Sequence, residues 1–163
     1  MIQTIMKDGI CAECGTMEQD GLSCSEQFGY LLAWEHNDPA LFALHFWTVS
    51  CYLLQHRSYY TTEAYDDLVG LFRDAYDNGW SNSRILKRNR SLTERSKIKI
   101  TNPVPIEQRQ MDLRHWPMTV GDVYAAGEPN AVEQIKKWRN TIRRDYEIGQ
   151  ISPEPCYQQN DGQ

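Results

Sequence analysis

The strongest constraint on the fold of this chain is a long apolar segment, residues 40–54, which follows an Asp-Pro pair. Asp38 can cap a helix, and Pro39 suits the first position of one. Apolar side chains occur on every side of the predicted helix, residues 39–56, and leave it no polar face. The segment therefore predicts a helix that runs through the middle of the domain.

A second helix should precede this core helix and pack against it. Ser23 and Glu26 have the Ser-x-x-Glu spacing of a capping box, which predicts a helix over residues 24–36. Only a few residues separate the two helices, and helices joined so tightly pack antiparallel. The sequence thus predicts a central apolar hairpin.

The rest of the chain adds further helices around this hairpin. An apolar stripe followed by Asn78-Gly79 predicts a third helix over residues 62–78. A short helix should begin near Thr119 and end at Gly127, and a last one should cover residues 129–148. The connecting region is interpreted as mostly loop, with a short helix at residues 81–89 and a strand at residues 97–101.

These patterns predict an all-α or mainly α fold, a small helical bundle around the apolar hairpin. We expect one helical domain over residues 1–150, with a metal-binding N-terminal segment (residues 1–24) and a disordered tail (residues 151–163). The chain has 163 residues, five Trp, nine Tyr and 24% charged residues, which excludes disorder for most of it. No apolar window is long enough to cross a membrane.

Five cysteines and the start of the chain bear on the compartment. Five is an odd number, and the spacing of the cysteines lacks the framework of a secreted disulfide-rich domain. The first ten residues contain Lys7 and Asp8 but no apolar stretch typical of a secretory signal. We therefore expect reduced thiols and a cytoplasmic location.

The sharpest chemical motif is Cys11-Ala-Glu-Cys14-Gly15. Two residues between cysteines allow both sulfurs to bind one tetrahedral ion, as in a zinc knuckle. Cys24 follows at the start of the first helix, where the helix macrodipole favours a thiolate. The motif thus predicts three sulfur ligands for Zn²⁺.

The fourth ligand should come from the end of the core helix. In an antiparallel hairpin this end lies near Cys24, and it carries both Cys51 and His56. The two residues stand about 140° apart around a helix, so one ion is not expected to contact both. The predicted metal ligands are therefore Cys11, Cys14, Cys24 and His56, with His45, Cys51 or a water molecule as alternatives for the fourth.

Two other chemistries compete with a structural zinc site. His45, Thr48 and Tyr52 project from successive turns of one helix face and could line a small polar pocket, the minimum for a metal-dependent enzyme. A Cys-x-x-Cys pair can also act as a redox dithiol, which makes a thiol redox switch a further alternative.

The charge distribution suggests where a partner would bind. Up to residue 83 there are three basic and twelve acidic residues, a net charge of -9, whereas the remainder has fourteen basic and ten acidic residues, a net charge of +4. Residues 84–99 and 136–144 carry most of the positive charge. We expect these residues to pair with the acidic third helix or with a partner protein, and do not expect nucleic-acid or membrane binding, since the chain is acidic overall.

The sequence also resembles a bacterial family of uncharacterised proteins that share a domain of unknown function. The resemblance covers most of the chain and rests on the Cys-x-x-Cys-Gly motif, Cys24, the run from His45 to His56 and the Trp-Pro-Met-Thr-Val segment at residue 116. It implies that these cysteines, His45 and His56 belong to the family pattern, and it implies no activity. Where that pattern has a His on the third helix, this chain has Asp67.

Taken together, the motifs predict a small cytoplasmic zinc-binding protein that acts as a protein-binding or regulatory module.

Overall fold

A computed structural model of the chain describes residues 6–95 and 116–150, with side chains for residues 8–93 and 116–145. Within these ranges the protein is mainly helical, which confirms the predicted fold class. Its elements are β1 (Met6–Lys7), β2 (Ile10–Cys11), α1 (Cys24–Glu35), α2 (Pro39–Phe42), α3 (His45–Leu54), α4 (Thr62–Asp77), α5 (Asn82–Arg95), α6 (Val120–Ala126) and α7 (Ala131–Gln150), with short 3-10 turns at Arg57–Tyr59 and Glu128–Asn130. The predicted strand at residues 97–101 and the predicted disordered tail lie outside the described residues. The predicted domain limits stay a prediction.

The N-terminal segment begins with a small antiparallel hairpin. Met6 pairs with Cys11 and Lys7 with Ile10, and Asp8 and Gly9 form the two-residue turn between the strands. Both turn residues have positive φ, 55° and 74°, as a type I′ turn requires. The turn sets the direction in which the chain enters the Cys-x-x-Cys loop.

Helix α1 begins as its sequence predicts. The Ser23 hydroxyl accepts a hydrogen bond from the Glu26 amide at 3.3 Å, and the Glu26 carboxylate accepts one from the Ser23 amide at 2.8 Å. These reciprocal bonds satisfy two amides that would otherwise lack partners at the helix start. Helix α1 packs against both α2 and α3, the two parts of the predicted core helix.

The predicted continuous helix over residues 39–56 is wrong in one respect: it is broken between α2 and α3. The Leu44 amide donates to Leu41, three residues back, and the Ala43 carbonyl accepts a hydrogen bond from the Asn82 side chain at 2.9 Å. The side-chain amide of Asn82, in α5, thus donates to a carbonyl that would accept a hydrogen bond from a backbone amide in a continuous helix. The break leaves Phe42 67% exposed, although it was expected in the core.

Helix α4 covers nearly the predicted residues, and α5 is longer than predicted. We expected a short helix at residues 81–89 within a loop, but α5 continues to Arg95. Ile85 is buried and Leu92, seven residues later, is partly buried. This spacing returns to the same helix face after two turns, so both side chains lie on one face of α5, which packs against α4, and support the longer helix.

Helices α6 and α7 close the bundle. The Thr119 amide donates to the Asp122 carboxylate at 2.8 Å and starts α6, and Gly127 ends it with a φ of 83°. Helix α6 packs on α1, and α7 packs on α3. The bundle core contains Trp138, Ile135 and Ile142 of α7 together with Leu54 and Phe72. Among the described helices, none is long and apolar enough to cross a membrane.

Candidate metal centre

The Cys-x-x-Cys loop is a closed turn whose backbone sets the sulfur positions. The Cys11 amide donates to the Thr16 carbonyl and the Gly15 amide donates to the Cys11 carbonyl, both at 2.9 Å. Gly15 has a φ of 81°, in the left-handed region that suits glycine. The loop turns back on itself at this residue, and the Cys11 and Cys14 side chains are buried, 2% and 3% exposed.

The other two side chains come from the predicted hairpin. Cys24 is the first residue of α1, and His56 stands just beyond α3, at the start of the 3-10 turn Arg57–Tyr59. Both are fully buried. Because His56 follows the helix, its direction is set by the local backbone, with a φ of -128°, and not by helical periodicity as we had assumed.

The structure brings Cys11, Cys14, Cys24 and His56 together. Their ligand atoms all lie within 4.8 Å of one another. His56 Nε2 is 3.6 Å from Cys11 Sγ and 3.5 Å from Cys24 Sγ. Around a tetrahedral ion with bonds of about 2.3 Å to sulfur and about 2.0 Å to nitrogen, a sulfur and a nitrogen stand about 3.5 Å apart. The four residues therefore form a cluster that could hold a metal ion.

The proton on His56 also suits metal binding. His56 Nδ1 lies 2.6 Å from the Tyr52 carbonyl oxygen. A carbonyl can only accept, so Nδ1 carries the proton and donates it. In the neutral ring Nε2 is then left with a free lone pair, and it faces the sulfurs.

The electrostatics of the cluster favour a positive charge at its centre. Hydrogen bonds from the Cys14 and Cys24 thiols hold the pKa of Cys11 well below its usual range, although burial opposes this. Hydrogen bonds to Cys11 and Cys24, together with burial, raise the pKa of Cys14. Burial disfavours the charged form of His56, but hydrogen bonds to the Cys11 and Cys24 sulfurs raise its pKa overall. A bound cation would stabilise the thiolates and would take the place of the protons held among the four side chains.

Polar groups around the cluster tie the loop to the start of α6 and to the 3-10 turn that follows α3. The Thr16 amide donates to Cys14 Sγ at 3.4 Å, and the Thr16 hydroxyl donates to the Thr119 hydroxyl at 2.8 Å, next to α6. The Glu13 carboxylate accepts a hydrogen bond from the Ser58 amide at 3.1 Å, two residues after His56. Contacts of this kind orient the residues that bind a metal.

A buried glutamine supports the same segment from α1. Gln27 is completely buried and donates to the carbonyls of Met17 at 3.0 Å and Leu22 at 2.9 Å. Gln19 in turn donates to the Gln27 side chain at 3.1 Å and to the Gly121 carbonyl at 3.0 Å. The N-terminal segment is therefore hydrogen-bonded to α1 and α6 in addition to the backbone hydrogen bonds of its own turns.

The alternative ligands lie elsewhere. The His45 side chain is 54% exposed, and its Nδ1 is 2.6 Å from the buried Glu35 carboxylate. Cys51 is fully buried on α3, outside the cluster, and burial raises the pKa of its thiol well above the usual value, against a weaker opposing effect of Arg139. Neither side chain belongs to the group of four.

The proposed polar pocket of His45, Thr48 and Tyr52 is not assembled. His45 faces Glu35, and the Thr48 hydroxyl donates to the Leu44 carbonyl at 3.2 Å. The Tyr52 ring stacks on His56 with centroids 4.0 Å apart, beside the cluster of three cysteines and His56. The three side chains thus meet three different sets of neighbours.

Our sequence reasoning missed the residues that support the cluster. Thr16, Glu13, Gln27 and Gln19 were not singled out, because ordinary polar residues next to a motif give no specific signal. One signal was available: Asp8-Gly9 is a typical type I′ hairpin pair, and it predicts the turn that precedes the loop.

Comparison with known proteins places the chain in a family. Residues 9–147 match the family described as a family of unknown function (DUF5946), and the chain belongs to this family. This confirms the resemblance noted from the motifs. No curated protein and no solved structure matches the chain.

Proposed function

We propose that this member of the DUF5946 family binds one Zn²⁺ through Cys11, Cys14, Cys24 and His56 and serves as a protein-binding or regulatory module. The observation that carries the metal assignment is the convergence of three sulfurs and one imidazole nitrogen within 4.8 Å. Zn²⁺ takes four such ligands in tetrahedral structural sites.

The donor set favours zinc over other common divalent ions. Three thiols and one imidazole are soft or borderline ligands, whereas Mg²⁺ and Ca²⁺ prefer oxygen. Zn²⁺ is also redox-inert, so it can stay bound to thiolates without exchanging electrons with them. The ion would neutralise the thiolates and join the N-terminal segment to α1 and to the chain that follows α3.

Burial supports a structural role for the ion over a catalytic one. None of the four side chains is more than 3% exposed. A catalytic zinc keeps one position open for water or substrate, whereas a structural zinc has four protein ligands. Metal binding would then contribute directly to the free energy of folding.

Elemental analysis of protein purified without added metal tests this proposal. We expect one zinc per chain in the wild type and loss of zinc in Cys14→Ala. Cys51→Ala is the matched control, because Cys51 is equally buried but lies outside the cluster. A wild type without metal, or zinc retained in Cys14→Ala, contradicts the proposed site.

A thiol redox switch is the second candidate, supported by the proximity of three thiols. Peroxide would take two electrons and two protons from a pair of these thiols, form one disulfide and leave as water, with release of the metal. The burial of all three sulfurs opposes rapid oxidation. Zinc release during peroxide treatment, measured with a chromogenic chelator, separates the two candidates: an inert site excludes the switch.

The thiols also bear on the compartment. The four described cysteines form no disulfide, and a zinc-thiolate site requires reduced sulfur. A reducing compartment such as the cytoplasm is therefore part of the proposal.

The binding role rests on the charged surface. Arg143 of α7 donates two hydrogen bonds to the Asp77 carboxylate of α4, at 2.8 and 2.9 Å. At least one basic side chain of residues 136–144 therefore forms an ion pair within the molecule. The basic residues of α5 whose side chains the structure describes are different: Arg84, Lys87, Arg88 and Arg90 are exposed, and in our proposal a partner binds on this side of the molecule.

A further inference from the structure

One face of α5 forms a basic groove that nothing in the metal site uses. Lys87 and Arg88 follow Arg84 by three and four residues along the helix, which places both beside Arg84 on one side of it. All three are exposed, whereas Ile85 on another face is buried in the core. The groove is lined by Asp74, Trp80, Ser83, Arg84, Lys87, Arg88 and Ser91.

In the part of the chain that the structure describes, none of the three basic side chains forms an ion pair with a carboxylate. The Arg84 guanidinium lies over the Trp80 ring, 4.4 Å from its centroid. The Asp74 carboxylate, which also lines the groove, lies 3.6 Å from the Arg73 guanidinium. All three basic side chains are exposed within two helical turns, and that of Arg84 also packs on Trp80.

We propose that this groove binds an acidic peptide segment of a partner protein, whose Asp or Glu carboxylates contact Arg84, Lys87 and Arg88. This inference rests on the proposed binding-module function and specifies the chemistry of the partner. Guanidinium groups bind carboxylates with two parallel hydrogen bonds, and Lys adds a point charge. Ser91 also lines the groove and adds a hydroxyl that can donate a hydrogen bond to a carboxylate.

A peptide suits the groove better than a nucleic acid does. The chain carries a net charge of -5, and the residues before Arg84 carry -9, so the basic face is a local patch on an acidic molecule. A duplex nucleic acid presents one phosphate about every 1.7 Å, and a protein with a net charge of -5 repels the phosphates that extend beyond such a patch. The Trp80 face that lines the groove is already covered by Arg84 and is not free for a base.

Fluorescence anisotropy with a labelled peptide of alternating Glu and Gly residues tests the proposal on the full-length, zinc-loaded chain at low salt. We expect binding that weakens at least about tenfold in Arg88→Glu, because the substitution reverses a charge in direct contact. Arg90→Glu is the matched control: Arg90 is exposed on α5 but does not line the groove. It changes the net charge equally and should weaken binding less than about threefold.

The outcomes are distinct. Absence of binding to the wild type, or equal weakening by both variants, overturns the groove. Tighter binding of a single-stranded oligonucleotide than of the peptide, with loss in Arg88→Glu, also overturns it and indicates a nucleic-acid site. Zinc content and circular dichroism of the same samples are measured in parallel. Peptide binding by a chain that contains no zinc contradicts the metal site while it supports the groove.

Discussion

At the scale of single residues, the His56 ring has contacts at both of its nitrogens and on one of its faces. Its Nδ1 proton is donated to the Tyr52 carbonyl, its Nε2 faces two sulfurs, and its plane stacks on the Tyr52 ring. Such a ring has little rotational freedom left to lose when it binds a metal, so little of the binding free energy is spent on ordering it.

We predict that His56→Ala weakens zinc binding by more than about 100-fold, because loss of a residue that merely orients a ligand already costs about 10–100-fold. Competition with a zinc chelator of known affinity measures the effect. His45→Ala is the control: its side chain is half-exposed and lies outside the cluster. Equal effects of the two substitutions would show that the imidazole of His56 is not a ligand.

At the scale of elements, the N-terminal segment lies so close to α6 at Gly121 that a residue with a Cβ atom would not fit there without a shift. A Cβ atom at Gly121 would stand 2.8 Å from Thr16 Cγ2 and 3.2 Å from the Gln19 side chain amide. Gly121 therefore permits the hydrogen bonds from Thr16 and Gln19 to the start of α6.

We predict that Gly121→Ala lowers the free energy of unfolding by about 1–3 kcal/mol, the usual cost of overpacking. Gly29→Ala is the matched control, since Gly29 is also helical but has no heavy atom within 4 Å of the added Cβ. This control should stabilise the protein by about 0.5–1 kcal/mol, because Ala favours a helix over Gly. Urea denaturation compares the two variants; a stabilising Gly121→Ala would mean that the approach is not tight.

A second contact between elements joins α4 to α7. The Arg143 guanidinium, which is mostly buried, donates two hydrogen bonds to the Asp77 carboxylate and lowers the pKa of that carboxyl. A carboxyl with a lowered pKa in the folded state stabilises the protein above its unfolded pKa and loses this effect as the pH falls through its folded pKa.

We predict that Asp77→Asn lowers the free energy of unfolding by less than about 1 kcal/mol, since the carboxylate is 43% exposed and solvent screens the pair. The difference from wild type should be the same at any pH well above the unfolded pKa of Asp and should shrink in high salt. Asp74→Asn is the control, because its contact with Arg73 is longer, 3.6 Å. Urea denaturation at two salt concentrations measures the effect, and a difference that does not depend on salt would contradict an electrostatic origin.

At the scale of the whole molecule, the proposed ion would connect segments that are far apart in the chain. Cys11 and His56 are separated by 45 residues, and their side chain atoms lie 3.6 Å apart. Without a cation, buried thiols and an imidazole would face one another without full compensation, which destabilises the folded state.

We predict that removal of the metal with a chelator lowers the free energy of unfolding by about 2.7 kcal/mol or more, the value for a ligand present at about 100 times its dissociation constant. For a domain of this size the melting temperature would fall by about 5–10 °C. Thermal denaturation followed by circular dichroism, with and without chelator and after addition of zinc, measures the shift. Cys14→Ala should not respond to the chelator, and an unchanged wild type would exclude a stabilising ion.

The starts of helices and the cysteine loop were determined by the sequence alone. Ser23 with Glu26, and Thr119 with Asp122, form capping interactions over three residues, and Cys11 and Cys14 share one turn of backbone. These features depend on neighbours within a few residues, so their patterns are visible before the chain folds.

Only the tertiary structure decided where the core helix breaks and what surrounds the cluster. The Ala43 carbonyl accepts a hydrogen bond from the side chain of Asn82, 39 residues later in the chain. The Thr16 hydroxyl donates to the hydroxyl of Thr119, 103 residues later. The direction of His56 depends on the end of α3 and on the sulfurs that face it. Each of these contacts joins residues that no local pattern relates, and their geometry follows from the packing of several helices at once.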